Sequence, residues 1–262
     1  MAVPRIFDPK AIALHRARAA KRAGDAFLRD EASEGIAERL GAVMRPFAAR
    51  AELAWEDEER VAAAPESLDL ITSVLTLHEA NDLPGLLAQA RRALKPDGLF
   101  LAALFGGETL TELRQALAAA EIETLGGVSP RVAPFADVRD LGGLLQRAGF
   151  ALPVADVERT VVRYRDLTGL VRDLRALGAT NALVERSKRP MRRAMLVAAL
   201  QSYADRFADP DGKLRATFDI VYLTGWAPHA SQQQPLKPGS ATTRLADVLM
   251  PTDNPTGRDT SA

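Results

Sequence analysis

The sequence predicts an α/β fold in which a parallel sheet follows a helical N-terminal segment, and three consecutive stretches carry that expectation. Leu68 to Leu77 is a nearly continuous apolar and β-branched run, the pattern of a strand buried on both faces. Leu83, Leu86, Leu87, Ala90 and Leu94 recur at helical intervals, and the helix pattern stops at Lys95-Pro96-Asp97-Gly98, which reads as a turn. Leu99 to Leu104 is a second buried strand, so strand, helix, turn and strand form one βαβ unit with its expected right-handed crossover.

The remaining elements follow in order. Residues 1–50 are dominated by Ala, Arg and Glu with apolar residues at helical spacing, and they read as a helical segment. Within it the basic stretch His15 to Arg22 reads as a solvated helix face, with an anion site as the alternative. Helices are expected over 108–123, 137–148, 167–177 and 190–207. Strands are expected at about 68–77, 98–104, 157–164 and 217–224, the last of them antiparallel beside an edge. The chain then divides into the helical segment 1–50, an α/β domain over 51–245 and a flexible tail over 246–262, the sequence from Gln232 onward being rich in Gln, Pro, Ser, Thr and Gly.

Composition narrows the function. The 262 residues hold 34 Lys plus Arg against 34 Asp plus Glu, a formal net charge of zero, which argues against a general binder of nucleic acid or anionic membranes. The absence of cysteine removes disulfides, thiolate metal sites and a Cys nucleophile. No apolar run approaches the roughly 18 to 20 residues of a membrane helix, and the first residues lack the order of a secretory signal, so the expected location is cytoplasmic.

Few residues stand out as candidates for chemistry. The three histidines match no metal motif. His78 follows a buried strand at its carboxyl end, where open α/β sheets place their ligands, and Glu79, Asn81 and Asp82 give that end a polar rim. The alternative is a loop histidine that caps the helix starting near Asp82. Gly106-Gly107 lies between a strand and a helix, which suits either an anion on free N–H groups or a turn that needs positive φ. Trp226 and His229, in Gly225-Trp226-Ala227-Pro228-His229, read either as packing over the sheet edge or as a partner-binding patch, with Lys237 and Arg244 as a charged rim.

The segments L-T-L-H-E-A-N-D-L-P-G (75–85), R-A-L-K-P-D-G-L-F (92–100) and F-G-G-E-T-L-T-E-L-R (105–114) resemble class I S-adenosylmethionine-dependent methyltransferases, with their Rossmann-like sheet. I-F-D (6–8), G-G-V-S-P-R-V-A-P-F (126–135), D-L-G-G-L-L-Q-R-A-G-F (140–150), G-A-T-N-A-L (178–183) and the stretch 225–241 resemble the subgroup of complex I assembly factor 5, itself similar to malonyl-carrier-protein methyltransferases. The resemblance implies S-adenosylmethionine as cofactor, with Asp57 and Glu58 approaching the adenine and Leu75 to His78 lying under the cofactor. Gly106, Gly107, Trp226 and His229 remain the candidate substrate or partner contacts on the reading of the residues themselves. The resemblance also implies methyl transfer or modification of an arginine on a complex I subunit, that subunit being the expected client.

One departure from the family pattern is pronounced. Arg45-Pro46-Phe47 resembles the approach to the family's first strand and Asp57-Glu58-Glu59 the acidic stretch after its third, yet only the nine residues Ala48 to Glu56 lie between them. A single βαβ unit needs about 30 residues. The sequence therefore predicts a sheet incomplete in its N-terminal half, no glycine-rich turn from strand to helix before residue 60, and weak or absent cofactor binding. A non-enzymatic, client-binding pseudoenzyme is the alternative function.

Overall fold

A computed structural model describes residues 4–22, 26–53 and 59–233. Its compact unit, Met1–His229, is built on one mixed sheet of five strands: β1 (Arg50–Glu52), β2 (Leu68–Val74), β3 (Leu94–Gly106), β4 (Ala151–Tyr164) and β5 (Leu214–Trp226). Their order across the sheet is β1-β2-β3-β5-β4. The first three run parallel, while β5 is antiparallel to both β3 and β4. The second unit, Ala230–Ala262, is described only over 230–233, so Lys237, Arg244 and the tail lie outside the described residues.

Among the described residues seven α-helices accompany the sheet: α1 (Pro9–Ala20), α2 (Phe27–Gly41), α3 (Leu83–Ala93), α4 (Thr111–Leu125), α5 (Val138–Arg147), α6 (Leu167–Ala176) and α7 (Arg193–Phe207). Alternation along β3 sorts them into two layers, because successive side chains of a strand point to opposite faces. Leu99, Leu101, Ala103 and Phe105 pack with Leu28 and Ile36 of α2, Leu113 of α4 and Leu170 of α6. Phe100, Ala102 and Leu104 pack with Ile12 of α1, Leu86 and Leu87 of α3 and Leu141 and Leu145 of α5. The N-terminal helices thus contribute to the same two cores as the sheet.

Helix α3 illustrates how sequence and packing cooperate. Asp82 caps it by accepting from the Gly85 N–H at 2.9 Å, and a proline sits in its first turn. Eleven residues are too few for a stable isolated helix. Leu86 and Leu87, both fully buried, supply about 2 kcal/mol each by leaving water, which favours the packed helix.

Several expectations need correction. β2 stops at Val74 instead of Leu77, because Leu75 has φ +49 and turns the chain off the strand. Lys95-Pro96-Asp97-Gly98 belongs to β3 as a bulge: Leu68 pairs with Leu94 but Leu70 with Leu99, and Asp97 has φ +63. A Lys95–Asp69 ion pair at 2.9 Å holds that bulge on β2. β3, β4 and β5 all extend beyond the predicted runs, since long antiparallel pairing carries residues that lack a strong strand pattern. Between residues 40 and 60 the described residues hold one strand, the unexpected three-residue β1, parallel to β2.

Candidate functional site

The carboxyl ends of β2 and β3 are remodelled by two left-handed residues. Leu75 is the first, and its N–H donates to the Ala103 carbonyl at 2.8 Å while its side chain is buried. A non-glycine residue in this region costs about 1 kcal/mol or more, and such strain clusters at functional sites. It leads directly into the 3-10 turn Leu77–Glu79 that carries His78. The turn is braced beneath by Ser73, whose hydroxyl donates to the Leu53 carbonyl at 3.0 Å and lies 2.8 Å from the Thr76 hydroxyl.

Leu110, at φ +55, is the second, at the start of α4. Its turn is latched by Asp219, which accepts from the Glu108 N–H at 3.0 Å and from both Nε and Nη2 of Arg159 at 2.7 and 2.8 Å. Burial raises the Asp219 carboxyl, but Arg159 and the Glu108 N–H outweigh burial and hold it below the ordinary carboxylate value. Gly107 completes the turn with φ +49; a Cβ there would stand 2.8 Å from Asp219 Oδ2. A Cβ on Gly106 would meet Val221 Cγ2 at 2.5 Å. Both glycines therefore answer to turn geometry and close packing, and neither lines the cavity described next.

Between these two turns lies a cavity of about 260 Å³ with mainly apolar walls. Phe105, Leu110, Leu113, Leu174 and Phe218 form its inner surface, and His78 and Glu79 stand at one side. The His78 ring meets the Phe105 ring edge-on, centroids 5.0 Å apart, and lies 6.0 Å from Phe135. Its Nδ1 is sealed from solvent without a hydrogen-bond partner. Burial, with the nearby charges of Arg16 and Arg29, pushes the imidazole down to about 3, so the ring is neutral at pH 7. A neutral imidazole of that kind is a hydrogen-bonding group and a weak base.

Glu79 accepts from Arg16 Nη2 at 2.9 Å. Burial raises its carboxyl above the ordinary value, opposed by Arg16 and Arg29. Arg16 belongs to the stretch read from the sequence as a solvated face; docking α1 beside this turn converts it into an ion-pair partner. The capping role considered for His78 is taken by Asp82. Asn81 instead ties the N-terminal segment to the site, accepting through Oδ1 from the Ile6 and Phe7 N–H groups at 2.8 Å each.

The other candidates lie elsewhere. Leu75 contacts a small side pocket together with His78, Arg16 and Arg29. Asp57 and Glu58 lie outside the described residues. Trp226 pairs with Leu99 on β3 and Ala151 on β4, placing it and the exposed His229 at the opposite end of the sheet from His78. Trp226 is half-buried inside the sheet order, not over its edge, with Arg45 5.7 Å from its ring. Among the described residues no acidic or histidine cluster suits a metal.

Residues that reading of the sequence did not assign to a site form most of the cavity wall. Leu113 and Leu117 are one helical turn apart on α4, and Arg131 to Ala133, Phe135 and Ala179 to Ala182 come from two distant loops. Those loops lie within the motifs 126–135 and 178–183, and Asn181 Nδ2 joins them by donating to the Pro130 carbonyl at 2.9 Å. The motifs were the available signal, although nothing in their composition disclosed their meeting.

Residues 6–153 match the family model described as "Methyltransferase domain". The chain belongs to the methyltransferase domain family. Among curated relatives it is 41% identical over 198 residues to "Arginine-hydroxylase NDUFAF5, mitochondrial" of Danio rerio, covering 76% of this chain and 61% of the relative. It is 39% identical over 199 residues to the malonyl-[acyl-carrier protein] O-methyltransferase of Laribacter hongkongensis, covering 76% and 64%. The chain thus spans less than two thirds of the length of these relatives. A putative methyltransferase of Bacillus halodurans is similar in structure at 13% identity and TM-score 0.44, covering 74% of this chain and 87% of that one.

The family's cofactor is S-adenosylmethionine, and the described residues do not fit it. β1 leads into no glycine-rich turn to a helix among them, and the Leu53 carbonyl that follows β1 accepts from Ser73. Glu121, behind the cavity wall, has both oxygens engaged, by Ser129 and Arg131, so it is not open to a ribose diol or an ammonium group, and Glu79 is paired through Oε2 with Arg16. The cavity is also smaller than the roughly 300 Å³ at which pockets for drug-sized ligands begin.

Proposed function

We propose that this methyltransferase-family protein acts in the assembly of respiratory complex I, in the cytoplasm, and that a group of its substrate or client enters the cavity beside His78. The observation that carries the reading is the convergence of segments 126–135 and 178–183 on that cavity. They are the segments that resemble the assembly-factor subgroup, and the curated relative named NDUFAF5 supports the same assignment. The described chain has no helix long and apolar enough to cross a membrane. Deletion of the gene, followed by native-gel quantification of complex I, tests the reading. Loss of the assembled complex, restored by the intact gene, is expected; an unchanged level refutes it.

A second reading, client binding without methyl transfer, is favoured by the paired state of Glu79 and Glu121 and by the nine residues available where a cofactor cradle would stand. A thermal melt with S-adenosylmethionine separates the two. A ligand present at 100 times its Kd stabilises the folded state by about 2.7 kcal/mol. A clear upward shift at millimolar cofactor supports an enzyme, and no shift supports the binding protein.

A further inference from the structure

The charge around the cavity constrains its occupant. Among the described residues, the charged groups lining the cavity and its side pocket are Arg16, Arg29 and Arg131 against Glu79. Glu79 is taken by Arg16, and Arg131 by Glu121, which is 3% exposed in its side chain. Arg29 has no carboxylate within 4.0 Å among the described residues. Among the described residues three guanidiniums thus face two carboxylates, both already paired, beside an imidazole that stays uncharged and has an unpartnered Nδ1. A cation entering this space would meet a net positive charge in a poorly solvated setting, where such interactions are strongest. An anion would find Arg29.

The shape supplies the rest. The main cavity is apolar, and 260 Å³ corresponds to about eight or nine groups of water size at roughly 30 Å³ each. The side pocket of about 10 Å³, where Arg29 and His78 lie, is at the lower limit of space for a single water-sized group. We propose that the cavity binds an anionic amphiphile, a carboxylate carrying an aliphatic chain of about eight carbons, with the chain against Phe105, Leu113 and Leu117 and the head toward Arg29. It rests on the reading that this cavity is the functional site, and it separates the site from one built to hold an arginine side chain.

Calorimetric titration of the full chain with octanoate, 1-octanol and octylammonium at pH 7 tests the inference with one chain length and three head charges. Octanoate is expected to bind at least tenfold more tightly than octylammonium, with octanol between. Arg29→Gln should reduce that ratio below threefold. Leu117→Trp, or Met191→Trp at the cavity rim if the first variant does not fold, should abolish binding of all three. Octylammonium binding as tightly as octanoate, no measurable binding of octanoate, or octanoate binding unchanged in the folded tryptophan variant overturns the inference. If octanoate binds as expected while the tryptophan variant still supports normal complex I levels, the ligand class stands and the functional reading falls. If octanoate fails to bind while that variant lowers complex I, the ligand class is overturned and the functional reading survives.

Discussion

Asn181 donates through Nδ2 to the carbonyl of Pro130, fastening two loops 51 residues apart in sequence into one wall of the cavity. The same side chain accepts from the Leu183 N–H at 3.0 Å, so it orders its own loop as well. Asn181→Ala removes both bonds at a partly exposed position. The expected cost is about 1 kcal/mol, read as a lower denaturant midpoint with an unchanged m-value. A variant as stable as the parent would show that the loops hold each other by packing alone.

His78 sets a pH dependence whose sign follows from its depressed value. The unfolded imidazole takes a proton near pH 6.5 and the folded one only near 3, so between these values the unfolded state binds more protons. Stability therefore falls as pH drops below about 6.5, by at most about 1.4 kcal/mol per pH unit from this residue. His78→Phe should flatten the slope of unfolding free energy between pH 6.5 and 4. An identical slope in the variant would place the titration elsewhere.

Gly107 is confined by backbone and by space. Alanine there must adopt φ +49 and bring its Cβ to 2.8 Å from Asp219 Oδ2, against the ion pair that latches the turn before α4. Gly107→Ala should cost about 1 to 3 kcal/mol, measured by chemical denaturation. A neutral effect would contradict the strained turn.

Trp226 gives a contrasting outcome from the one expected of an exposed binding residue. It is flanked by strands on both sides and packs on the core that contains Leu99 and Tyr222. Trp226→Ala should lower stability by about 2 kcal/mol, below the 3 to 5 kcal/mol of a fully buried aromatic because it is only half-buried. An unchanged Tm would return Trp226 to the surface role.

Local patterns made much of the sheet legible. The run from Leu68, the helix from Leu83 and the strand through Leu104 each combine periodicity with a terminating signal, and the antiparallel last strand followed from its position. β1 is illegible because three residues carry no period, and Leu75 reads as strand because an apolar side chain does not disclose a left-handed backbone. His78 drew attention by lying after a buried strand. Arg16 and Arg29 did not, since on a helix an arginine beside a buried glutamate has the same sequence signature as one in solvent. Leu113, Leu117 and Leu174 read as ordinary core positions, and only the third dimension leaves a cavity between them.

The level of assembled complex I in a deletion strain carrying Leu117→Trp, compared with the parent gene at matched protein abundance and with Tm measured alongside, probes the cavity beside His78 directly. Filling it in a protein that remains folded should reduce the complex to the level of the deletion. Full assembly with the cavity filled would contradict its role as the functional site.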